Sequence, residues 1–559
     1  MKSQKNYPYN EVVKFYTIRE MLDLSVQDNP DKIAFEYKEN KKNLQKTYKE
    51  FQEETFHLGT ALSSLDINHK HVAVIGENSY NWLLVYLTTL QSNNVFVPID
   101  KELPIDDIAN VLNHSDSEVL FYSSKFEKSI KEIAEKAPNV KLFIGFGLEK
   151  SDDKFLSFNE LMKKGKSLYT SGDMSFINQE SNDTRSLKML VYTSGTTGMP
   201  KGVMLSECNL VSVVYYGLQV STVFTKCLSV LPYHHTYEAV AGILVSLHMH
   251  CTICINDNLK SVLKNLQLYK PDYIYLVPAF AELFYKKIWS NAKENKKDVL
   301  LKILIKISNF LRLFGIDLRK TFFKSIHQSF GGNLVKIVVG GAPIRPEIGE
   351  FFDSIGINLI NGYGITECSP LVSANRDYFN DCSTVGVILP CCNVKFEDVT
   401  DDGYGEILVK GDIVMLGYYK DPELTNTVLQ NGWFKTGDYG KFNDKHQLVI
   451  TGRKKNLIVL ENGKNVFPEE IENYIMNIPY VQEVIVSGIK NEHNIESALL
   501  AEVYLNKDKV EELGLTDINT SLKKDIADVC MPLPVYKKIA QIKIRETEFP
   551  KTTTNKIKR

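Results

Sequence analysis

The sequence predicts an α/β fold, with a large N-terminal domain of mixed, mostly parallel sheets and helices followed by a small α+β domain. Short β-branched runs alternate with helical patterns along most of the 559 residues, which is typical of parallel sheets covered by helices. The first helix is predicted from the helical spacing of Ile18, Leu22 and Val26, and Asn29-Pro30 ends it. The predicted strands lie at 72–75, 95–97, 118–122, 189–192, 228–231 and 337–339. Polar or glycine-rich loops follow several of them, where ligands bind in α/β proteins.

The length of the chain predicts at least two domains, because one hydrophobic core does not extend over 559 residues. A boundary is indicated at Gly452-Arg453-Lys454-Lys455, after which a compact α+β pattern begins. This pattern consists of strands at 457–459 and 481–487 and a helix at 468–476. We therefore predict domains at 1–453 and 454–559.

Composition and charge exclude several classes of protein. Lys and Arg total 66 and Asp and Glu 68, so the net charge gives no reason to expect nucleic acid as a partner. The nine Cys lack the paired spacing of zinc or disulfide sites, which favours a reducing compartment. Residues 1–11 lack the apolar core of a signal peptide, and His248 and His250 interrupt the apolar stretch 239–255. We expect a cytoplasmic protein in which 239–255 is a buried element.

A phosphate-binding loop is predicted directly after the strand at 189–192. Its glycines allow the backbone to approach an anion, its hydroxyls and N–H groups can donate to phosphate oxygens, and Lys201 adds positive charge. Because Gly202 follows Lys201, the loop is not the P-loop of kinases and NTPases. The loop consists of Thr193, Ser194, Gly195, Thr196, Thr197, Gly198, Met199, Pro200, Lys201 and Gly202.

This loop resembles the phosphate motif of the adenylate-forming superfamily, which includes acyl-CoA synthetases, carrier-protein adenylation domains and luciferases. Four later segments resemble further motifs of that family in the family's order: 361–367 (NGYGITE), 433–438 (WFKTGD), 452–455 (GRKK) and 549–556 (FPKTTTNK). The resemblance implies a two-step AMP-forming ligase with ATP, Mg²⁺ and coenzyme A as its cofactors and substrates.

The resemblance also implies roles for residues around the nucleotide. Glu367 would hold Mg²⁺ on the phosphates, where a hard oxygen ligand is needed, and Thr366 would donate to the α-phosphate. Asp438 would accept hydrogen bonds from both ribose hydroxyls, with Arg453 as the second ribose contact. The walls of the adenine pocket would be formed by Gly341, Ala342, Pro343, Gly362, Tyr363 and Gly364.

His235 matches a histidine that lies near the carboxylate site in that family. With its neighbour His234 it does not predict a zinc site, because adjacent side chains on a strand point to opposite faces. We therefore expect His235 to contribute to the acid-binding part of the site.

The C-terminal domain carries the remaining implied roles. Lys556 would bridge the acid carboxylate and the α-phosphate during adenylation, and Lys455 would be the hinge of a mobile domain. The loop that contacts the thiol would contain Gly463, Lys464 and Asn465. Asn555 stands where that family usually has Gly before the lysine, and Asn tolerates a left-handed backbone better than most residues.

The segments 330–343 and 362–372, together with the insertion at 298–319, resemble the long-chain fatty acyl-CoA synthetases more than the acetate or aromatic-acid branches. A medium- or long-chain fatty acid is therefore the expected substrate. An acyl carrier protein stays open as the acceptor, because it presents the same pantetheine arm as coenzyme A. A catalytically silent acyl or nucleotide sensor is a further alternative.

A basic amphipathic helix is predicted at 298–319. Asp298, Lys302, Lys306, Asn309 and Arg312 recur at helical spacing among apolar residues. Such a helix can lie on the inner face of an anionic membrane, and an ordinary surface helix fits the pattern equally well. Peripheral membrane contact is therefore one of two open interpretations.

Overall fold

The computed structural model describes residues 5–179, 183–193, 200–492, 495–551, 557 and 559. It confirms the predicted α/β class and all of the predicted strands, each within a few residues. The strands are β1 (Ile33–Glu39), β2 (Lys42–Thr47), β3 (His71–Ile75), β4 (Val95–Ile99), β5 (Ser117–Tyr122), β6 (Leu142–Gly145), β7 (Phe155–Ser157), β8 (Leu187–Thr193), β9 (Lys201–Ser206), β10 (Lys226–Ser229), β11 (Thr252–Ile255), β12 (Tyr273–Leu276), β13 (Lys336–Val339), β14 (Asn358–Tyr363), β15 (Ser373–Ala374), β16 (Val387–Ile388), β17 (Cys392–Glu397), β18 (Gly405–Gly411), β19 (Gly417–Tyr418), β20 (Leu429–Gln430), β21 (Trp433–Phe442), β22 (Leu448–Arg453), β23 (Ile458–Val459), β24 (Asn465–Val466), β25 (Val481–Lys490), β26 (Glu496–Leu505) and β27 (Gln541–Arg545).

The helices cover the sheets, and several of them begin at a side-chain cap. The predicted first helix begins after Thr17, whose side chain accepts a hydrogen bond from the Glu20 N–H, and it ends before Asn29. The helices are α1 (Ile18–Asp28), α2 (Tyr48–Ser63), α3 (Tyr80–Leu90), α4 (Ile105–His114), α5 (Ile130–Lys136), α6 (Phe158–Thr170), α7 (Glu207–Val220), α8 (Val245–His248), α9 (Val262–Tyr269), α10 (Pro278–Glu294), α11 (Asp298–Leu313), α12 (Arg319–Phe322), α13 (Lys324–Ser329), α14 (Pro346–Ile355), α15 (Pro422–Val428), α16 (Pro468–Ile475), α17 (Lys507–Glu512) and α18 (Ile518–Val529).

Two large sheets form the N-terminal part of the fold. One has the strand order β16-β15-β14-β13-β12-β10-β11-β1-β2, with parallel pairing from β14 to β1. The other has the order β19-β9-β8-β4-β3-β5-β6-β7, in which β9 pairs antiparallel with both β19 and β8, and all further neighbours, from β8 to β7, pair parallel. Strands β3 and β4 are buried almost throughout, as expected of parallel strands covered on both faces.

The C-terminal part is an α+β unit with its own core. In it β26 pairs antiparallel with β25 and parallel with β27. Ile471, Ile475, Leu522 and Ile526 on its helices are buried with the apolar side chains of this sheet. The chain forms two compact units, Met1–Asn393 with Val409–Phe434, and Val394–Leu408 with Lys435–Arg559. The boundary between 453 and 454, and the mobility of the smaller part, stay predictions.

The stretch 239–255 is buried, as expected, and contains most of a π-helix (Tyr237–Leu244), α8 and β11. Within the described ranges, no helix is both long and apolar enough to cross a bilayer.

The predicted helix after residue 298 is present as α11, but its polar residues are not all directed outward. Asn309 donates to the Ser354 hydroxyl at 3.1 Å, and Arg312 donates to the Asp353 carboxylate at 3.0 Å. Several apolar residues of α11 are exposed instead, among them Phe310 at 59%. Asn309 and Arg312 therefore belong to the side of α11 that packs against the fold, because α11 is apolar on two sides and packs through only one of them.

Gly364 lies directly after β14, where the backbone of Pro370 leaves no room for a side chain. A Cβ at Gly364 would lie 1.5 Å from the Pro370 carbonyl oxygen. Gly364→Ala is therefore expected to shift the backbone, at a cost of about 1–3 kcal/mol, and to lower the melting temperature of the protein.

Gly217→Ala in α7 is the matched control, because its Cβ would meet its nearest neighbour, Leu371, at an ordinary 3.5 Å. Alanine is the better helix former, so this variant should melt at or above the wild-type temperature. Equal melting temperatures for Gly364→Ala and the wild type would contradict the predicted clash.

Candidate functional site

The predicted phosphate loop connects two paired strands. Thr193 ends β8 and Lys201 begins β9, and the two residues are register partners in the antiparallel pair. Ser194, Gly195, Thr196, Thr197 and Gly198 lie outside the described residues. The two residues that flank the predicted loop, Thr193 and Lys201, thus lie side by side at the end of the β8–β9 pair.

Tyr418 links the phosphate loop to Glu367. Strand β19 pairs with β9, so that Tyr418 lies opposite Val203. The Lys201 ammonium lies 5.5 Å from the centroid of the Tyr418 ring, and the Tyr418 hydroxyl donates to Glu367 Oε1 at 2.9 Å. Burial and the Glu367 carboxylate raise the pKa of Tyr418 well above its ordinary value, so its hydroxyl remains a donor at neutral pH.

Glu367 is held in a short 3₁₀ helix, Thr366–Cys368, that follows β14. Its carbonyl accepts from the Met415 N–H at 2.9 Å, and its carboxylate from Tyr418. A carboxylate has about four lone-pair sites, so one hydroxyl donor leaves capacity to bind a cation. The side chain therefore fits the predicted Mg²⁺ ligand, with Thr366 beside it.

The two predicted walls of the adenine pocket follow neighbouring parallel strands. Val339 of β13 pairs with Asn361 of β14, so the segments at the ends of both strands lie at the same sheet edge. The segment after β13 contains Gly341, which has a φ of 84°, followed by exposed Ala342 and Pro343. The other consists of Gly362 and Tyr363, which end β14, and Gly364 directly after it, all partly buried. The structure brings both segments together, as an adenine pocket requires.

Asp438 and Arg453 face each other in the smaller unit. They are register partners on β21 and β22, and Arg453 Nε lies 3.0 Å from Asp438 Oδ1. Asp438 is 4% exposed, and its N–H donates to the Thr436 hydroxyl at 3.1 Å. An open cleft of about 290 Å³ adjoins them, lined by Gly437, Arg453, Lys454 and Lys455. The geometry suits the two predicted ribose contacts.

The predicted hinge and thiol loop also lie in the smaller unit. Lys455 is the middle residue of a 3₁₀ turn, Lys454–Asn456. Gly463 has a φ of 74° in the turn between β23 and β24. Lys464 Nζ lies 3.2 Å from Asp401 Oδ2, and Asn465 begins β24. Lys556 and Asn555 lie outside the described residues.

His235 lies in a turn before the π-helix, where its ring centroid is 4.1 Å from that of His234. The two side chains do not point to opposite faces as expected, because these residues are not in a strand. His234 Nε2 lies 3.6 Å from Asp100 Oδ2, and burial lowers the pKa of His234 to about 4.

Glu238 is a buried carboxyl group that sequence reasoning missed. It lies one turn after His235, and the Ser229 hydroxyl donates to its Oε1 at 2.5 Å. Burial raises the pKa of Glu238 to about 8. Tyr418 was also missed, because it belongs to none of the recognised motifs and its role depends on strand pairing.

Comparison with known proteins identifies the family. The profile described as AMP-binding enzyme matches residues 22–419, and the profile of the AMP-binding enzyme C-terminal domain matches 455–559. The first match alone covers well over half of the chain.

The chain belongs to the AMP-binding enzymes.

Two relatives and one solved structure show the range of similar proteins. Long chain acyl-CoA synthetase 2 of Arabidopsis thaliana is 26% identical over 88% of this chain and 78% of the relative. A chloroplastic long-chain-fatty-acid–[acyl-carrier-protein] ligase of Arabidopsis thaliana, AEE15, is 28% identical over 80% of this chain and 71% of the relative. The anthranilate CoA ligase AuaEII, solved with anthranoyl-AMP, has the same fold, with a TM-score of 0.76 at 18% identity over 98% of this chain and 96% of that one.

Membership of the AMP-binding enzymes confirms the predicted adenylate-forming ligase class. The predicted cofactors, ATP with Mg²⁺ and coenzyme A, are confirmed at the level of the family. The roles of individual site residues stay predictions.

The buried Glu238 predicts a pH-dependent stability. Its pKa is 4.5 when unperturbed and about 8 in the fold, so its contribution is fully present below pH 4.5 and is lost as the pH rises to about 8. Glu238→Gln removes this ionisation. The melting temperature of Glu238→Gln minus that of the wild type should therefore increase from pH 4.5 to about pH 8 and stay constant above that pH.

The exposed Glu135 provides the control. The melting temperature of Glu135→Gln minus that of the wild type should change less over the same pH range, because an exposed side chain keeps most of its hydration on folding. A constant difference for Glu238→Gln would show that Glu238 is not held neutral in the fold.

Proposed function

We propose that this chain is an AMP-forming ligase that activates a medium- or long-chain fatty acid with ATP and transfers the acyl group to coenzyme A. The observation that carries the proposal is the position of Tyr418 between Lys201 and Glu367. Tyr418 contacts both the Lys201 ammonium and the Glu367 carboxylate. A nucleoside triphosphate needs both groups, because its phosphates require positive charge and its metal ion requires an oxygen ligand.

The first step is an attack of the acid carboxylate on the α-phosphorus of ATP. A bond forms from a carboxylate oxygen to phosphorus, and pyrophosphate leaves with the bridging oxygen. Mg²⁺ held by Glu367 would offset phosphate charge when it is bound. Lys201 adds a second cation at the phosphate loop, and Thr366 donates a hydrogen bond to the α-phosphate. Lys556 contacts both the α-phosphate and the carboxylate of the acid. Asp438 and Arg453 hold the ribose, and the segments 341–343 and 362–364 hold the adenine.

The second step transfers the acyl group to a thiol. The sulfur attacks the acyl carbon as the thiolate, its proton having passed to solvent. The bond from the acyl carbon to the phosphate oxygen breaks, and AMP leaves with the carboxylate oxygen. We assign the thiol arm to the loop of Gly463, Lys464 and Asn465, and the change between the steps to a rotation at Lys455. Coenzyme A is the proposed acceptor, and the similarity to AEE15 keeps an acyl carrier protein as the alternative.

The proposed chain length is supported by the long-chain acyl-CoA synthetase among the relatives. An acyl tail gains about 0.8 kcal/mol per buried CH₂, so a long tail supplies much of the binding energy without polar contacts. Contact with a membrane, through residues 298–319, is part of the same proposal because long-chain acids are dissolved there.

A panel of fatty acids tests the proposed substrate. AMP release is measured with ATP, Mg²⁺ and coenzyme A, for acids from acetate to stearate. We expect the specificity constant to rise with chain length. Release with acetate or benzoate alone would contradict the assigned acid, and ATP binding without AMP release from any acid would favour the silent sensor.

The link from Tyr418 to Glu367 predicts an effect on Mg²⁺ dependence. Tyr418→Phe removes a hydrogen bond to a charged group, which contributes about 1.5–3 kcal/mol. The Mg²⁺ concentration for half-maximal activity should therefore rise about tenfold or more, and Glu367→Gln should raise it further because a ligand charge is lost.

Tyr419 is the matched control, because its hydroxyl also donates to a carboxylate, that of Asp116, at 2.8 Å. Tyr419→Phe should leave the Mg²⁺ dependence unchanged. Equal shifts in the two tyrosine variants would mean that Tyr418 does not act through Glu367.

Lys556→Ala should impair one half-reaction only. Loss of a preorganised cation is expected to slow adenylation on the order of 10²–10³-fold. Thioester formation from supplied acyl-adenylate and coenzyme A should proceed near the wild-type rate, as measured in single turnovers. Lys551→Ala is the control, because this nearby lysine contacts Glu548 at 2.7 Å. Equal loss in both half-reactions would refute the proposed role.

A further inference from the structure

The outward side of α11 is an apolar stripe. At about 100° per residue its members fall on one side of the helix, and the last of them, Phe314, directly follows α11. Each is at least 44% exposed: Val299, Leu300, Ile303, Ile307, Phe310, Leu313 and Phe314. We call these residues the α11 stripe.

The opposite side of α11 already attaches the helix to the fold. Leu301 is buried in the core of the first large sheet, with Leu304 and Ile305 packed against it. Asn309 and Arg312 hydrogen-bond to Ser354 and Asp353 of α14. The α11 stripe is therefore not needed to hold the helix in place, and an apolar surface of this extent marks an interaction site on a protein.

Two exposed cations border the α11 stripe. Lys302 and Lys306 are exposed and follow one edge of it. Along the sequence, residues 286–324 contain eleven Lys and Arg but only three Asp and Glu, whereas the whole chain contains nearly equal numbers, 66 Lys and Arg and 68 Asp and Glu. The face thus combines an apolar stripe with cations, which is the pattern of a helix that lies in the interface of an anionic bilayer.

We propose that the α11 stripe docks on an anionic lipid bilayer. Phe310 and Phe314 enter the boundary between head groups and acyl chains, while Lys302 and Lys306 bind lipid phosphates. This inference rests on the membrane contact in the proposed function and names the surface that makes it.

A second copy of the chain is a poorer occupant of this face. In a symmetric dimer the same face meets itself, which would bring Lys302 and Lys306 of one copy close to those of the other. Like charges at an interface are unfavourable, whereas anionic head groups complement them.

Vesicle flotation tests the inference with the full-length protein. Vesicles of equal parts phosphatidylcholine and phosphatidylglycerol are compared with phosphatidylcholine alone, and neither acid nor ATP is present. The wild type should float with the anionic vesicles and lose binding as salt rises. Phe310→Ser with Phe314→Ser should weaken binding about tenfold or more. Lys302→Glu with Lys306→Glu should weaken it by about fivefold or more for each lysine.

Leu259→Ser with Leu268→Ser is the matched control, since these leucines are also exposed, at 50% and 44%, but lie outside α11. Thermal melting checks that all variants fold, and AMP release from octanoate without vesicles should be unchanged in them.

Three results would overturn the inference. If the wild type floats and the α11 variants float equally well, another surface makes the membrane contact. If the wild type binds none of the vesicles, the membrane contact itself fails, and the octanoate assay shows separately whether the ligase activity stands. If light scattering shows a dimer that the phenylalanine variant dissociates, a second copy covers the stripe.

Discussion

The pairing of the short strand β19 with β9 is the constraint on which the phosphate end of the site depends. It places Tyr418 so that its ring faces the Lys201 ammonium and its hydroxyl donates to Glu367. Lys201 begins β9 in one large sheet, and Glu367 follows β14 in the other. Neither strand alone could therefore position both side chains. One tyrosine thereby fixes the opposite charges that a triphosphate and its metal require.

The buried carboxyl groups of Asp438 and Glu238 have different partners, and we infer different roles for them from this. Asp438 is buried opposite the Arg453 guanidinium, which compensates a negative charge and keeps an acceptor ready for hydroxyl groups. Glu238 is buried beside the Ser229 hydroxyl, and burial raises its pKa to about 8. The first arrangement suits a ligand contact, whereas the second suits a neutral structural group beneath His235.

The elements that local sequence determines were predictable. The β-branched runs gave the parallel strands, and the Thr193–Gly202 segment lies where a strand end requires a loop. Tyr418 could not be found this way, since its partners are distant in the chain and its own neighbours form no recognised motif. The side of α11 that packs was also beyond prediction, because apolar residues cover two sides of the helix and only the tertiary fold chooses between them. His234 and His235 were assigned to a strand, and the turn there brings their rings together instead.

In the proposed first step, an oxygen of the acid itself bonds to the α-phosphorus. This can be tested with palmitate whose carboxylate carries heavy oxygen, with ATP and coenzyme A, and mass spectrometry of the products. The step predicts one heavy oxygen in the phosphate of the AMP released with each thioester. Unlabelled AMP, or label in inorganic phosphate formed together with ADP, would contradict it, because the acid would then have been activated by another route or not at all.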